Sequence, residues 1–231
     1  ALADANIPLV LLATDVAEYD ALAPLAKAAG KTVINLSPSL RGVLAVPCVN
    51  GDSLGKAVEI SLGTYCAQAA VPIAYAVCQA VGSRYAEAIT CTASVCADAA
   101  ARASLNELTA CSTQALAVGS GADCGKAILV LNPANPPICM TNTVHSLVKR
   151  CDLPAVQAAV EEQLAALRAY APGCTLRTPP ILEGDRVTVI TQVEARDAAL
   201  PAWAGHLDLL TSAALRVAEG VALRRFGKEE A

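Results

Sequence analysis

The stretch GTYCAQAAVP (63–72) places Cys66 at the start of an alanine-rich run that reads as a helix over 66–82. Backbone N–H groups at a helix N-terminus favour a thiolate there, so Cys66 is expected to serve as a nucleophile. Such a thiol needs a base, and the base needs a partner that orients it. His145 stands three residues after Asn142 in PICMTNTVHSLVKR. That segment reads as a helix over 137–150 beginning after the double proline, and the spacing then puts both side chains on one face. The other nine cysteines, at 48, 78, 91, 96, 111, 124, 139, 151 and 174, show no Cys-x-x-Cys spacing, and neither histidine lies near a cysteine pair. They are expected to be reduced, buried, alanine-sized fillers, and no metal is expected.

The elements that position these residues fall into two groups. IPLVLLAT (7–14) is a continuous apolar run, the pattern of a strand buried on both faces. EYDALAPLAKAAG (18–30) follows as a helix ending at Gly30, and KTVINLS (31–37) as the next strand. With VLAVPCVNGD (43–52) read as a further extended piece, residues 1–52 predict a β-α-β unit of dinucleotide-binding type. Beyond it, YAEAITCTASVCA (85–97) and RVTVITQVEA (186–195) alternate as half-buried strands, and KAILVLNP (126–133) is a third. Helices are expected over 101–119 and from Asp152 to Gly173. The segment HLDLLTSAALRVAEGVALRRF carries leucines and valines at helical spacing, and the tail GKEEA is expected to fray. These patterns suggest an α/β chain of two lobes, a dinucleotide-type sheet first and an α+β layer second.

Composition narrows the function classes. The net charge is −4 with no basic run, which suits no nucleic-acid surface. No stretch of about 18 uninterrupted apolar residues occurs, so no membrane span is expected. The opening ALADANIPLV lacks the basic region of a signal peptide, and a cytoplasmic location is expected.

Several blocks share an order with one known family. They are INLSPSLRGVLAVPCVN (34–50), QAAVP (68–72), YAEAI (85–89), GKAILVLNPANPPICMTNTV (125–144), AYAPG (169–173) and LPAWAGHLDLLTSAALRVAE (200–219). Together they resemble the acylating acetaldehyde dehydrogenases, the partners of 4-hydroxy-2-oxoacid aldolases. The resemblance implies an acyl-enzyme on a cysteine, and association both through the second domain and with aldolase subunits. It also implies the fold class α/β with a truncated dinucleotide-binding-type parallel sheet, residues 1–52 with 205–231, plus an α+β dimerisation and catalytic domain, residues 53–204. The chain departs from the family at its chemistry. No Gly-x-Gly-x-x-Gly precedes the matching blocks, so the chain is expected to begin after the cofactor cradle and to use no nicotinamide cofactor. The family's catalytic cysteine, three residues before the glutamine matched by Gln68, corresponds to Tyr65, one step before Cys66. The segment TASVCADAAAR (92–102) stands where the family has glycines near nicotinamide and substrate. The acidic residue of its MRDTV-like motif corresponds to Asn142, and the asparagine of its GNLD motif to His206.

These correspondences lead to a Cys66–His145–Asn142 set acting on a small acyl thioester carried by coenzyme A or a carrier protein, with Tyr65, Gln68 and His206 facing the substrate. Two alternatives stand beside it. One is a non-catalytic pseudoenzyme that serves as a scaffold subunit for an aldolase-like partner. The other is an acetaldehyde dehydrogenase completed by a preceding segment. A homodimer is expected.

Overall fold

The N-terminal apolar run forms β1 (Leu9–Leu12) in a computed structural model of the chain, which describes residues 2–196 and 198–226; the tail GKEEA lies outside them. Asp15 caps α1 (Val16–Ala28), its carboxylate accepting from Glu18 N at 2.8 Å. Gly30, at φ +73°, then turns the chain into β2 (Thr32–Asn35). The segment 43–52 is not the extended piece expected. Only β3 (Val43–Leu44) pairs, because Pro47 starts a single helical turn, α2 (Pro47–Asn50), and a 3-10 turn over Gly51–Lys56 follows. β4 (Glu59–Ser61) completes an all-parallel sheet in the order β1-β2-β4-β3, so this layer extends past the boundary expected at residue 52.

α3 (Tyr65–Val81) follows and carries Pro72 in its interior. An interior proline costs a helix about 3 kcal/mol. The helix continues through it because eleven of its seventeen residues, Pro72 among them, are buried between layers. Next come β5 (Tyr85–Ala93), a 3-10 turn over Ser94–Cys96, α4 (Ala99–Ala103), α5 (Leu105–Gly119) and β6 (Gly125–Asn132).

The segment read as a helix over 137–150 is a strand, β7 (Met140–Leu147). It pairs antiparallel with β5 on one side and, on the other, with β9 (Arg186–Val193), which follows α6 (Leu153–Arg168) and β8 (Cys174–Glu183). Met140, Asn142, Val144 and Ser146 point inward in alternation. Two of those four are polar, which hid the period of two from a reading based on hydrophobicity. The five strands form a mixed sheet, β6-β5-β7-β9-β8, with only β5 and β6 parallel.

α3 and α6 cover one face of this sheet, where Ala86, Ala88, Val144, Val187 and Val189 meet Val71, Val156 and Val160. The opposite face presents Ile89, Cys91, Thr143, His145, Ile190 and Gln192, all partly exposed. After a 3-10 turn over Ala202–Ala204, α7 (Gly205–Phe226) returns to the first layer. There Ala213, Ala214, Val217 and Val221 pack on Ile34, Ala45, Leu54, Ile60 and Leu62. Among the described residues no helix is long and apolar enough to cross a membrane.

Candidate functional site

The start of α3 is set by two residues. Gly63, at φ +69°, turns the chain out of β4 in a conformation that side chains other than glycine's rarely adopt. Thr64 then caps the helix, its hydroxyl oxygen accepting from Ala67 N at 3.1 Å and lying 2.7 Å from Ser112 Oγ. Ser112 donates to Leu108 O at 2.7 Å, which leaves Thr64 to donate to Ser112. The next two side chains, Tyr65 and Cys66, diverge by about 100° around the helix.

Cys66 points into the sheet and is 1% exposed. The Thr90 hydroxyl lies 2.8 Å from its sulfur and donates to Asn142 Oδ1 at 2.6 Å. That hydroxyl has one proton; with it directed at the amide oxygen, Thr90 accepts the proton of the thiol. Burial pushes the Cys66 thiol up, the reverse of the effect expected from the helix terminus. The magnitudes decide this: a helix terminus offers about 0.3–1 kcal/mol, whereas full desolvation moves a group by several kcal/mol. Cys66 does occupy the helix start, but as a neutral thiol in the core.

Asn142 is fully buried and its Nδ2 has no partner among the described residues. His145 does not join it. Three residues apart on a strand means opposite faces, and His145 lies on the far side of the sheet with Nδ1 3.0 Å from Thr188 Oγ1. Partial burial lowers its pKa. The expected set is thus divided: Cys66 and Asn142 meet through Thr90, and His145 is across the sheet. Gln68 also turns away from solvent. Its Nε2 donates to Ala45 O at 2.8 Å and Leu62 O at 2.6 Å, so it ties α3 to the ends of the first-layer strands.

Tyr65 and His206, by contrast, come together. Their rings meet edge to face with centroids 5.3 Å apart. They line a cavity of about 160 Å³ with Thr92, Cys96, Leu105 and Leu131; Cys66 is not in its wall. His206 sits in the first turn of α7 and is 6% exposed, and its Nδ1 has no partner among the described residues. Gly205 makes this approach possible, because a Cβ there would fall 2.3 Å from Val193 O. Burial pushes Tyr65 up to about 12 and His206 down to about 4. Thr90 and Cys96 escaped the sequence reading. The signal for Thr90 was its place among the inward positions of β5, and for Cys96 its place just past the end of that strand.

The depressed His206 value has a stability consequence. The unfolded chain binds the proton first, so stability is full above the ordinary histidine range and is lost as pH falls through it toward about 4. Urea unfolding will show about 2 kcal/mol less stability at about pH 5 than at about pH 7 from this group, and His206→Asn will remove that part of the difference. An unchanged difference in the variant refutes the assignment.

The thiols are less buried than expected. All ten are free, but only Cys66, Cys111 and Cys174 are fully buried, and Cys124 is exposed. Among the described residues no group of three His, Cys, Asp or Glu side chains could hold a metal ion. The β1–α1 turn does not fit a dinucleotide pyrophosphate, since Asp15 already fills the helix start with its own carboxylate.

Comparison with known proteins adds the relatives. Residues 66–201 match a family described as prokaryotic acetaldehyde dehydrogenase, dimerisation. An acetaldehyde dehydrogenase from Carboxydothermus hydrogenoformans is 37% identical over 230 residues, covering 100% of this chain and 77% of that protein. One from Geobacillus stearothermophilus is also 37% identical, over 96% of this chain and 76% of its own. The structure of aspartate semialdehyde dehydrogenase II from Vibrio cholerae, complexed with ASA, superimposes with a TM-score of 0.66. It covers 94% of this chain and 78% of that one at 14% identity, a likeness of fold.

Proposed function

Because the chain belongs to the prokaryotic acetaldehyde dehydrogenase family, we propose that it is a homodimer that takes the acyl end of a small thioester, or the related aldehyde, into the cavity between Tyr65 and His206. The observation that carries this reading is the cavity itself, walled by the edge-to-face rings of Tyr65 and His206 at the start of α3 and α7. Apart from Thr92 and Cys96 the remaining wall is aliphatic, which suits a short acyl chain. The partly exposed face of the mixed sheet, with Thr143 and Ile190 near its middle, is the surface proposed for the dimer.

A second reading has its own support. With Tyr65 at the position of the family's cysteine and Cys66 sealed beneath it, the chain serves as a scaffold subunit for an aldolase-like partner without turnover. The two readings separate in one experiment. Acetyl-coenzyme A and, separately, propanal are titrated into the protein while the His206 ring resonances are followed by NMR. The first reading expects a saturable shift that Ala101→Phe, which places a ring in the cavity, abolishes. No shift with either probe leaves the scaffold reading.

A further inference from the structure

We propose that the Tyr65–His206 cavity is cut for an uncharged, apolar acyl or aldehyde group of about five or six carbons, rather than for an acetyl group, and that Ala101, Leu105 and Leu131 set that size. This rests on the reading of the cavity as an acyl site and names the class of group it takes. Volume is the first observation. The cavity measures about 160 Å³. A cavity of about 150 Å³ with a wall of this kind takes up benzene, a molecule of six carbons. An acetyl group would leave most of the space empty, and atoms lining an unfilled gap forfeit their dispersion contacts.

The chemistry of the wall is the second. Leu105 and Leu108 stand three apart at the start of α5 and share a helix face; Leu131, near the end of β6, and Leu207, in the first turn of α7, add apolar surface from two further elements. None of the described wall residues is a lysine, arginine, aspartate or glutamate. Burial keeps the titratable ones neutral, with Tyr65 raised to about 12, the Cys96 thiol pushed up and His206 lowered to about 4. A carboxylate or ammonium drawn into this space gives up its water and meets no opposite charge, a cost that a neutral chain escapes.

The size is set by side chains on braced backbone. Arg102 donates from Nε to Ala97 O at 3.0 Å and from Nη2 to Ser94 O at 3.1 Å, and Asp98 caps α4, accepting from Ala101 N at 2.8 Å. The segment that carries Ala97 and Ala101 is thereby tied to the turn leaving β5. Its two alanines leave room in the wall that a larger side chain at either position would take. Each methylene moved from water into such a space tightens binding about fourfold.

The test uses the full chain and four coenzyme A thioesters, acetyl, butanoyl, hexanoyl and succinyl, each titrated while the histidine ring resonances are followed by NMR. His145, on the far side of the mixed sheet, serves as the unmoved reference for His206. The dissociation constant is expected to fall about fourfold per methylene from acetyl to hexanoyl. Succinyl is expected to bind at least roughly tenfold more weakly than butanoyl. Ala101→Leu, which narrows the space, is expected to weaken hexanoyl at least roughly tenfold more than it weakens acetyl. Saturable binding of acetyl as tight as that of hexanoyl overturns the size assignment and leaves the acyl reading of the cavity standing. Succinyl binding as tight as that of butanoyl overturns the exclusion of charge. A hexanoyl preference untouched by Ala101→Leu puts the chain outside this cavity and also overturns the proposal. No shift of His206 with any of the four removes both the proposal and the acyl reading.

Discussion

Asn142→Asp will be about 3–4 kcal/mol less stable than the parent at about pH 7, and within about 1 kcal/mol of it at about pH 4. The reason is the seal around residue 142. The side chain is 0% exposed, receives one hydrogen bond from Thr90, and has no other partner among the described residues. An aspartate there has one donor for a full negative charge and no cation beside it, so its charged form is strongly disfavoured and its pKa rises above the unfolded value. The sign follows. The neutral acid is tolerated, so stability is retained below the ordinary carboxylate range and is lost as pH rises through the raised value. Urea unfolding of both proteins at the two pH values, compared as differences, measures it. A variant that matches the parent at about pH 7 means that water reaches residue 142. Cys66, which shares Thr90 with it, would then be open as well, and the core reading of that thiol would fail.

Gly205→Ala and Gly220→Ala make the same change on one helix and are expected to act with opposite signs. At Gly205 the new methyl would fall 2.3 Å from Val193 O and 2.6 Å from its carbon, both rigid strand backbone. The start of α7 must then lift from β9, taking His206 off Tyr65, at a cost of at least about 3 kcal/mol. At Gly220 the nearest atom is Arg224 Nη1 at 3.5 Å, an ordinary van der Waals contact with the end of a side chain. There the gain in helix propensity, about 0.5–1 kcal/mol, is uncompensated and the protein is stabilised. Chemical denaturation followed by circular dichroism reads both. Stabilisation by both changes would show that helix propensity, and not the contact with β9, governs position 205.

The parts that could be read before the structure are those where one periodicity ruled. The apolar run of β1, the alternation of β5 and β9, and the helical spacing of α7 each announced an element, and the return of α7 to the first layer followed from the family resemblance; β1 is nevertheless an edge strand with Leu11 exposed, not buried on both faces as its run suggested. Misreadings arose where local signals pointed elsewhere. In β7 the inward positions include Asn142 and Ser146, so hydrophobicity showed no alternation, and the prolines before it suggested a helix start. Between 43 and 52, Pro47 began a helical turn that the apolar residues around it concealed. β8 was missed because most of its residues are exposed and two successive prolines interrupt it. At the site, the helix start near residue 66 was legible from the alanine-rich run after it. Which of Tyr65 and Cys66 faces the cavity was not, because that depends on how α3 is rotated against β5 and α7, and no local pattern carries that angle. The likeness of role assigned to Asn142 and His145 failed for the same reason as the helix on which it was built.

The packing of α7 on the first layer has a consequence for synthesis. Ile34, Ala45, Ile60 and Leu62 leave the ribosome early, while Ala213, Ala214, Val217 and Val221, which cover them, emerge about 150 residues or more later. Until then an apolar parallel sheet stands bare in the nascent chain, and its closure waits on contacts of long sequence separation, which are slow to form. Heat-shock chaperones that hold exposed hydrophobic segments will therefore bind this polypeptide most strongly on stalled ribosomes whose product ends before residue 205.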